Sequence, residues 1–295
     1  MPDTAVTSNA NIEFERLKPL IGSEVKNIDL TQPIDDATFA ALRKELGERS
    51  VLIFKGQTMT TQQQVDFSEK FGPLELHVLS QYCHPEQPEI FMVSNIKEDG
   101  KHVGAFDGSQ NYHIDGAYMA VPSLGSVFYC LEHPPVGQGG ETVVVSMSAV
   151  YAALSIEQKA LVKGRDAVHD YVWLHVTKHP HRPPLTQEQI DKVPPATHPM
   201  VVNHPETGVP TLHIDWTFCR NIVGMSDGDS RPILDELMTF ADQDEFKYAH
   251  PWEPGDVMIW DNRSSVHKRY PFDTDNTRRM MHRTTITGEP PVFNG

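Results

Sequence analysis

The chain is poor in positive charge. Its 295 residues carry 25 Lys and Arg against 40 Asp and Glu, which gives a formal net charge of −15 at pH 7. Nucleic acids and anionic membranes bind basic surfaces, because much of the affinity comes from neutralising their phosphates. The composition therefore argues against both as partners. It does not exclude a small anionic substrate, since two arginines can dominate the field inside one cleft.

Long apolar runs and a cysteine framework are also missing. The sequence holds no apolar stretch long enough for a transmembrane helix, and its first residues lack the basic start and apolar core of a signal peptide. Only Cys83, Cys130 and Cys219 are present, without a Cys-x-x-Cys pair. This odd number argues against a disulfide framework and a zinc–thiolate site, so a cytoplasmic location is expected.

What the sequence does contain is a series of short apolar runs separated by turn signals. Runs such as 51–54, 126–131 and 142–145 predict buried strands, and several helical patterns flank them. The pattern predicts a mainly β domain with flanking helices, built on a closed or sandwiched antiparallel sheet. We expect residues 1–12 to form a disordered leader and 13–295 to form a single domain.

Three local features give more specific predictions. Thr61 with Gln64 predicts a capping box for a helix that ends near Gly72. A further helix is predicted over about 229–241, with Pro232 in its first turn, where proline is tolerated. The segment 174–200 is rich in His and Pro and shows no periodicity, so it is predicted to be an insertion loop.

The tripeptide His113-Ile114-Asp115 is the first candidate for chemistry. In an extended chain, side chains two residues apart lie on the same face, so an imidazole and a carboxylate would be presented together. They supply two of the three ligands of a 2-His-1-carboxylate triad, which leaves coordination positions open and is typical of non-haem Fe(II) oxygenases. The third ligand should come from a distant strand, and His267 is the candidate.

The spacing alone is weak support, because about one His-x-Asp is expected by chance in a chain of this composition. A second copy, His213-Ile214-Asp215, is indeed present. It lies in an alternating strand pattern, which favours a packed or pocket-wall histidine over a metal ligand.

Further motifs resemble those of a known family, the iron- and 2-oxoglutarate-dependent dioxygenases related to taurine dioxygenase and dichlorophenoxyacetate dioxygenase. The resemblance covers nearly the whole chain. The residues that carry it are Ile21-Gly22, Asp29-Leu30, the run 51–57, Phe71-Gly72-Pro73-Leu74, His113-x-Asp115, Gly139-Gly140-Glu141-Thr142, Trp260-Asp261-Asn262-Arg263 and the run 278–283.

The resemblance implies a fold, a cofactor set and a ligand set. The fold would be a double-stranded β-helix (jelly-roll). The cofactors would be Fe(II) and 2-oxoglutarate, with O2 as co-substrate. The iron ligands would be His113, Asp115 and His267, and the distal carboxylate of 2-oxoglutarate would bind to Thr142 and Arg279, since guanidinium and hydroxyl groups suit a carboxylate.

For the primary substrate, the resemblance implies that Arg283 and His77 hold an anionic head and that Phe218 forms a pocket wall. Tyr82, Trp216 and Trp173 are further candidates for that wall. Ser109 stands where the taurine enzyme has an asparagine that contacts substrate, so taurine itself is not the expected substrate.

The expected activity is oxidation, by default hydroxylation, of a C–H bond in a small anion such as a sulfonate, sulfate ester or carboxylate, giving succinate and CO2. Desaturation or ring closure in a biosynthetic pathway remains an alternative, because these reactions use the same triad. A non-catalytic metal-binding jelly-roll module and a zinc hydrolase are the rival classes. The sequence leaves the oligomeric state open, including a homo-oligomer.

Overall fold

The computed structural model describes residues 12–77, 79–106, 110–180 and 183–294. The predicted leader lies outside the described residues except for Ile12, and so does Ser109. The helices are α1 Asp36–Arg49, α2 Thr61–Glu69, α3 Met147–Ala153, α4 Ile156–Val162, α5 Tyr171–Lys178, α6 Gln187–Lys192 and α7 Asp227–Ala241, with one 3-10 turn at Ser80–Tyr82. The strands are β1 Glu13–Arg16, β2 Ser23–Lys26, β3 Val51–Phe54, β4 Cys83–His84, β5 Gln87–Ser94, β6 Lys97–Glu98, β7 Lys101–His102, β8 Gly125–Glu132, β9 Thr142–Ser146, β10 Asp166–His169, β11 Ala196–Pro199, β12 Val201–Asn203, β13 Pro210–Leu212, β14 Cys219–Ile222, β15 Lys247–His250, β16 Val257–Asp261, β17 Ser265–Arg269 and β18 Met280–Ile286.

Two sheets form the core. The larger has eight strands in the order β1-β2-β3-β16-β8-β18-β5-β4, and the smaller has the order β15-β9-β17. Val144 of β9 packs with Phe128, Met258 and Met281 of the larger sheet, so a dry apolar layer lies between the two. This architecture confirms the expected mainly β jelly-roll with flanking helices.

Helix α1 shows how the local sequence sets an element. Asp35 has an extended backbone and accepts a hydrogen bond from the Thr38 amide, which starts the helix. Leu42 and Leu46 lie four residues apart on one face of the helix and are buried against the larger sheet. Ser50 adopts φ 67° and ends the helix directly before β3.

Two predicted boundaries were wrong by small amounts. The capping box of α2 is formed by Thr60 and Gln63, one residue before the predicted pair Thr61 and Gln64, because Thr60 has the extended backbone that an N-cap requires. Helix α7 begins at Asp227, so Pro232 lies in its second turn and not in its first.

The segment 174–200 is not one irregular loop. It contains the end of α5, all of α6 and β11, which pairs with β10. The sequence signal for α6 is weak, because the helix has only six residues and its capping box of Thr186 and Gln189 lies among prolines. No helix in the described part of the chain is long and apolar enough to cross a membrane.

Candidate active site

The site begins with a backbone pairing between two histidines. His113 lies in an irregular segment that reaches β17 at a single bridge, where His113 and His267 each donate a backbone hydrogen bond of 3.0 Å to the other. Residues paired in this way project their side chains to the same face of the sheet. The two imidazole rings accordingly lie 4.2 Å apart, centroid to centroid.

Asp115 completes the set because it follows His113 by two residues. Its carboxylate oxygens lie 3.6 Å from His113 Nε2 and 3.8 Å from His267 Nε2. All three side chains are buried, and one ligand atom from each lies within 4.8 Å of the others. In the described part of the chain, this is the one group of three or more His, Cys, Asp or Glu residues that meets this distance.

The hydrogen bonds around the three residues leave the ligand atoms available. His113 Nδ1 lies 3.0 Å from the Asn111 carbonyl oxygen, so Nδ1 donates and the lone pair of Nε2 is free for a metal. The Ser126 hydroxyl donates to Asp115 Oδ2 at 3.1 Å and fixes the carboxylate. Two imidazoles and one oriented carboxylate fit an Fe(II) ion with open positions.

The electrostatics of Asp115 and His267 also suit metal binding. Burial opposes ionisation of Asp115, but the positive charge of Arg283 and the two histidines hold the pKa of Asp115 well below its usual range. Burial, assisted by the neighbouring His113, lowers the pKa of His267 well below its usual value. An ionised carboxylate and a neutral imidazole are the forms that bind a metal ion.

A second part of the site is a cationic pocket formed by Arg279 and Arg269. Arg279 is 2% exposed, its Nε has no hydrogen-bond partner, and its guanidinium lies 5.5 Å from the Phe128 ring. Burial and the charge of Arg269 lower the pKa of Arg279 to about 9. No carboxylate of the described residues forms a salt bridge with either arginine.

Thr142 joins this pocket through the small sheet, because it is the register partner of Arg269. It is buried, and its hydroxyl accepts a hydrogen bond of 3.1 Å from Trp252 Nε1. Two buried guanidinium groups without an acidic partner are costly unless an anion joins them. The pocket therefore fits the dianion 2-oxoglutarate. Arg269 was not predicted from the sequence, where its position beyond His267 gave no signal.

Arg283 lies next to the three ligand residues. Its Nη1 is 3.3 Å from Asp115 Oδ1, and its guanidinium lies 5.2 Å from the ring of Phe91, its register partner on β5. The side chain is 15% exposed, and its Nε has no hydrogen-bond partner.

The structure brings His77 and Tyr82 to the same place, around Phe91. The His77 ring stacks on Phe91 at 3.8 Å, and the Tyr82 ring meets it edge-on at 6.4 Å. Burial and the charge of Arg283 lower the pKa of His77 to about 4, so the imidazole is neutral near pH 7. His77 Nδ1 accepts the Leu79 amide at 3.1 Å, which leaves the proton on Nε2 as a donor.

Phe218, the predicted pocket wall, packs with two tyrosines that were not predicted. The Tyr118 ring lies 4.9 Å from Phe218 and 5.0 Å from Tyr171. Burial raises the pKa of the Tyr118 hydroxyl to about 12. The negative charge of Asp115 also raises this pKa, and the positive charge of Arg283 lowers it. Tyr171 is the first residue of α5, and Asp170 is the N-cap of that helix. An aspartate directly before the helix is the sequence signal that could have placed Tyr171 at its start.

The two tryptophan candidates have other contacts. Trp216 stacks on Tyr112 at 6.0 Å and donates to Asp235 on α7 at 3.2 Å. It lines a cavity of about 450 Å³ whose lining includes none of the three ligand residues. The Nζ of Lys178 lies over the Trp173 ring, 5.9 Å from its centroid. Substrate contact by either tryptophan stays a prediction.

The second His-x-Asp tripeptide, His213-Ile214-Asp215, is not part of the candidate metal site. His213 is buried with His169 and His198, whose ring centroids lie 6.0 Å and 5.6 Å from it. Burial lowers the pKa of His213 to about 3. Asp215 is also buried, and its carboxylate accepts backbone hydrogen bonds, including one from Ile114.

A jelly-roll with a buried group of two histidines and one aspartate beside an unpaired buried arginine defines a class of mononuclear metalloenzymes that bind an anionic co-substrate. The family model for the taurine catabolism dioxygenase TauD, TfdA family matches residues 13–285. The chain belongs to this family. It is therefore a 2-oxoglutarate-dependent dioxygenase, an oxidoreductase that uses Fe(II), 2-oxoglutarate and O2.

Three relatives illustrate the range of similarity. The (S)-phenoxypropionate/alpha-ketoglutarate-dioxygenase of Delftia acidovorans is 33% identical over 285 residues, covering 92% of this chain and 93% of the relative. Pentalenolactone F synthase of Streptomyces arenae is 29% identical over 280 residues, with coverages of 92% and 93%. The crystal structure of AAD-2 in complex with Mn(II) and N-oxalylglycine has a TM-score of 0.83 at 25% identity, with coverages of 96% and 100%.

Proposed function

We propose that this dioxygenase hydroxylates a C–H bond of a small anionic substrate whose charged head binds to Arg283. The observation that carries the proposal is the position of Arg283, which lies mostly buried at 3.3 Å from the candidate iron ligand Asp115. Once Asp115 binds iron, it is a weaker partner for Arg283. A carboxylate, sulfonate or sulfate group would then satisfy the guanidinium, because a buried charge requires a paired, hydrogen-bonded partner.

In the proposed site, His113, Asp115 and His267 would hold the Fe(II). Bound iron and 2-oxoglutarate together supply the oxidation, in which O2 and 2-oxoglutarate yield succinate and CO2 and one oxygen atom enters the substrate. A set of three protein ligands would leave coordination positions open for 2-oxoglutarate and O2.

Arg279 and Thr142 would bind the distal carboxylate of 2-oxoglutarate, with Arg269 adding positive charge to the same pocket. The orphaned Nε of Arg279 supports this role, because it is a buried donor that still needs an acceptor. Burial of Arg279 at 2% exposure strengthens such a bond, since water does not compete for the guanidinium.

His77 would donate from Nε2 to the anionic head beside Arg283, and Phe91, Phe218, Tyr118 and Tyr171 would pack the apolar body. Aromatic walls favour a flat or bulky body through area burial and stacking. The similarity to the Delftia acidovorans dioxygenase, named for a phenoxypropionate, supports an aryloxy acid as one candidate. An ammonium substrate would face Arg283 as a like charge and should bind very poorly.

A second candidate reaction is desaturation or ring closure with the same cofactors. The similarity to pentalenolactone F synthase favours keeping it, since that relative is named as a synthase. The summed mass of the products distinguishes the two. Hydroxylation adds one oxygen atom, also where a product hydroxylated at a carbon bearing oxygen breaks into two fragments, whereas desaturation or ring closure removes two hydrogen atoms.

The test is a panel of sulfonates, sulfate esters, aryloxy acids and amino acids, scored by substrate-dependent succinate formation. The proposal expects turnover of at least one anionic class, with a reduced response in Arg283→Ala. If a cationic or neutral compound is turned over best while all sulfonates and carboxylates are inert, the substrate assignment is wrong. A cytoplasmic location and a homo-oligomer also stay predictions, to be tested by cell fractionation and by light scattering.

A further inference from the structure

Asp215, the acidic residue of the second His-x-Asp tripeptide, is fully buried at 0% exposure. No Lys, Arg or His of the described chain forms a salt bridge with it. Its two oxygens instead accept four backbone amides, from Ile114 at 3.2 Å, Thr217 at 2.9 Å, Phe218 at 2.6 Å and Cys219 at 3.2 Å. A buried carboxylate is stable with such a set of donors, because each amide bonds to the charged form.

The two oxygens contact different parts of the site. Oδ1 accepts all three amides of the turn 217–219, which carries Phe218 of the proposed pocket wall. Oδ2 accepts the amide of Ile114, the residue between the candidate iron ligands His113 and Asp115. One side chain therefore bonds both to the pocket wall and to the backbone of the metal-binding tripeptide.

The direction of the Ile114 amide follows from the pairing of its neighbour. The amide of His113 points to β17, where it bonds to His267. Successive amides of an extended chain point to opposite sides, so the amide of Ile114 points away from β17 and towards Asp215. The tripeptide is thus held from both sides, by β17 on one and by Asp215 on the other.

Two further bonds join the same segments. The Trp216 amide and the Thr217 hydroxyl both donate to the carbonyl of Tyr112, at 3.2 Å and 2.9 Å. Neither segment lies in a regular strand, since β13 ends at Leu212 and β14 begins at Cys219. These bonds help to fix their relative position, and the bond with Asp215 is made by Ile114, the residue between the two candidate ligands.

We propose that Asp215 is a positioning residue that couples the geometry of the iron ligands to the Phe218 wall of the substrate pocket. The role of Phe218 rests on the proposed function above. The link between Asp215 and the iron ligands does not, because it concerns metal binding alone.

Asp215→Asn separates the bond with Ile114 from the three bonds with the turn 217–219. Asparagine keeps one acceptor oxygen, which the three amides of the turn 217–219 would retain, and it turns its NH2 group towards the donor Ile114. We expect the dissociation constant for Fe(II), measured anaerobically, to rise about 10-fold to 100-fold, as is common when a partner that orients a metal ligand is lost. Asp215→Ala removes all four bonds and should also raise the KM of the primary substrate.

Asp256→Asn is the matched control. Asp256 is as buried, at 1% exposure, and it accepts hydrogen bonds from Lys55, His250 and the Glu253 amide. This variant should lower the Tm of the metal-free protein and leave the dissociation constant for Fe(II) unchanged. If Asp215→Asn lowers the Tm to the same extent and retains wild-type Fe(II) affinity, Asp215 is structural only and the proposal is wrong.

Hydrogen exchange of the wild-type protein provides a test that needs no variant. In the metal-free protein, the amides of Ile114, Phe218 and Cys219 should be protected and should lose protection together as denaturant is added. Rapid exchange at Ile114 beside protected amides at 218 and 219 would contradict the link. Neither measurement uses a substrate, so a failed substrate screen would leave this result standing.

Discussion

His113 and His267 are direct partners in a β-bridge, with 3.0 Å hydrogen bonds in both directions. The pairing sets two imidazoles side by side, and the alternation of side chains then adds Asp115. Backbone geometry therefore brings the three candidate ligands together. The other parts of the site lie around it: the cationic pocket of Arg279 and Arg269, and the cluster around Phe91.

The first prediction concerns which tripeptide binds the metal. His113→Ala and His267→Ala should each abolish iron retention and turnover, because two ligands cannot hold Fe(II) in the proposed geometry. His213→Ala should retain iron, since His213 packs with His169 and His198. Iron content after anaerobic loading and desalting measures this. Loss of iron in the His213 variant with retention in the His113 variant would reverse the assignment.

The second prediction separates two arginines. Arg279→Ala should raise the KM for 2-oxoglutarate by about 10-fold to 100-fold, if its hydrogen bond to a carboxylate contributes about 1.5–3 kcal/mol. Arg283→Ala should act mainly on the KM of the primary substrate. Steady-state kinetics with each substrate varied in turn distinguish the effects, and the opposite pattern would show that the two roles are exchanged.

The third prediction concerns stability in acid. Burial lowers the pKa values of His169, His198 and His213, the last to about 3. Unfolding restores values near 6.5, so the unfolded chain binds more protons below that pH. The contribution of the three neutral histidines to the free energy of unfolding is therefore complete above about pH 6.5. It is lost as the pH falls from about 6.5 towards 3.

His213→Leu should reduce this acid sensitivity. The difference in unfolding free energy between pH 7.5 and pH 5 should shrink by an amount on the order of 2 kcal/mol, because one buried histidine no longer takes up a proton on unfolding. Urea unfolding of the metal-free wild type and variant at both pH values measures it. An unchanged difference would show that His213 does not titrate in this way.

The strands and the triad were accessible from the sequence for a physical reason. Apolar runs such as 51–54 had to be buried strands, and the two-residue spacing of His113 and Asp115 places them on one face whenever the chain is extended. The choice of His267 depended on the family motifs on either side of it, because its distance from His113 in the sequence does not by itself predict a contact between the two.

The surroundings of the site were less accessible, because they depend on side-chain directions that only the fold determines. Phe91 belongs to an apolar strand and nothing in the sequence distinguishes it from a core residue, yet His77, Tyr82 and Arg283 all lie against its ring. Trp173 was predicted to line the pocket and Tyr171 was not, yet it is the Tyr171 ring, at the start of α5, that lies against Tyr118.

The most direct test of the central claim is 2-oxoglutarate turnover by the iron-loaded enzyme and its ligand variants. In the presence of O2 and an active member of the substrate panel, wild type should convert 2-oxoglutarate to succinate in step with product formation. His113→Ala and His267→Ala should form neither, and His213→Ala should retain both. Succinate formation that survives the loss of His113 or His267 would contradict the account.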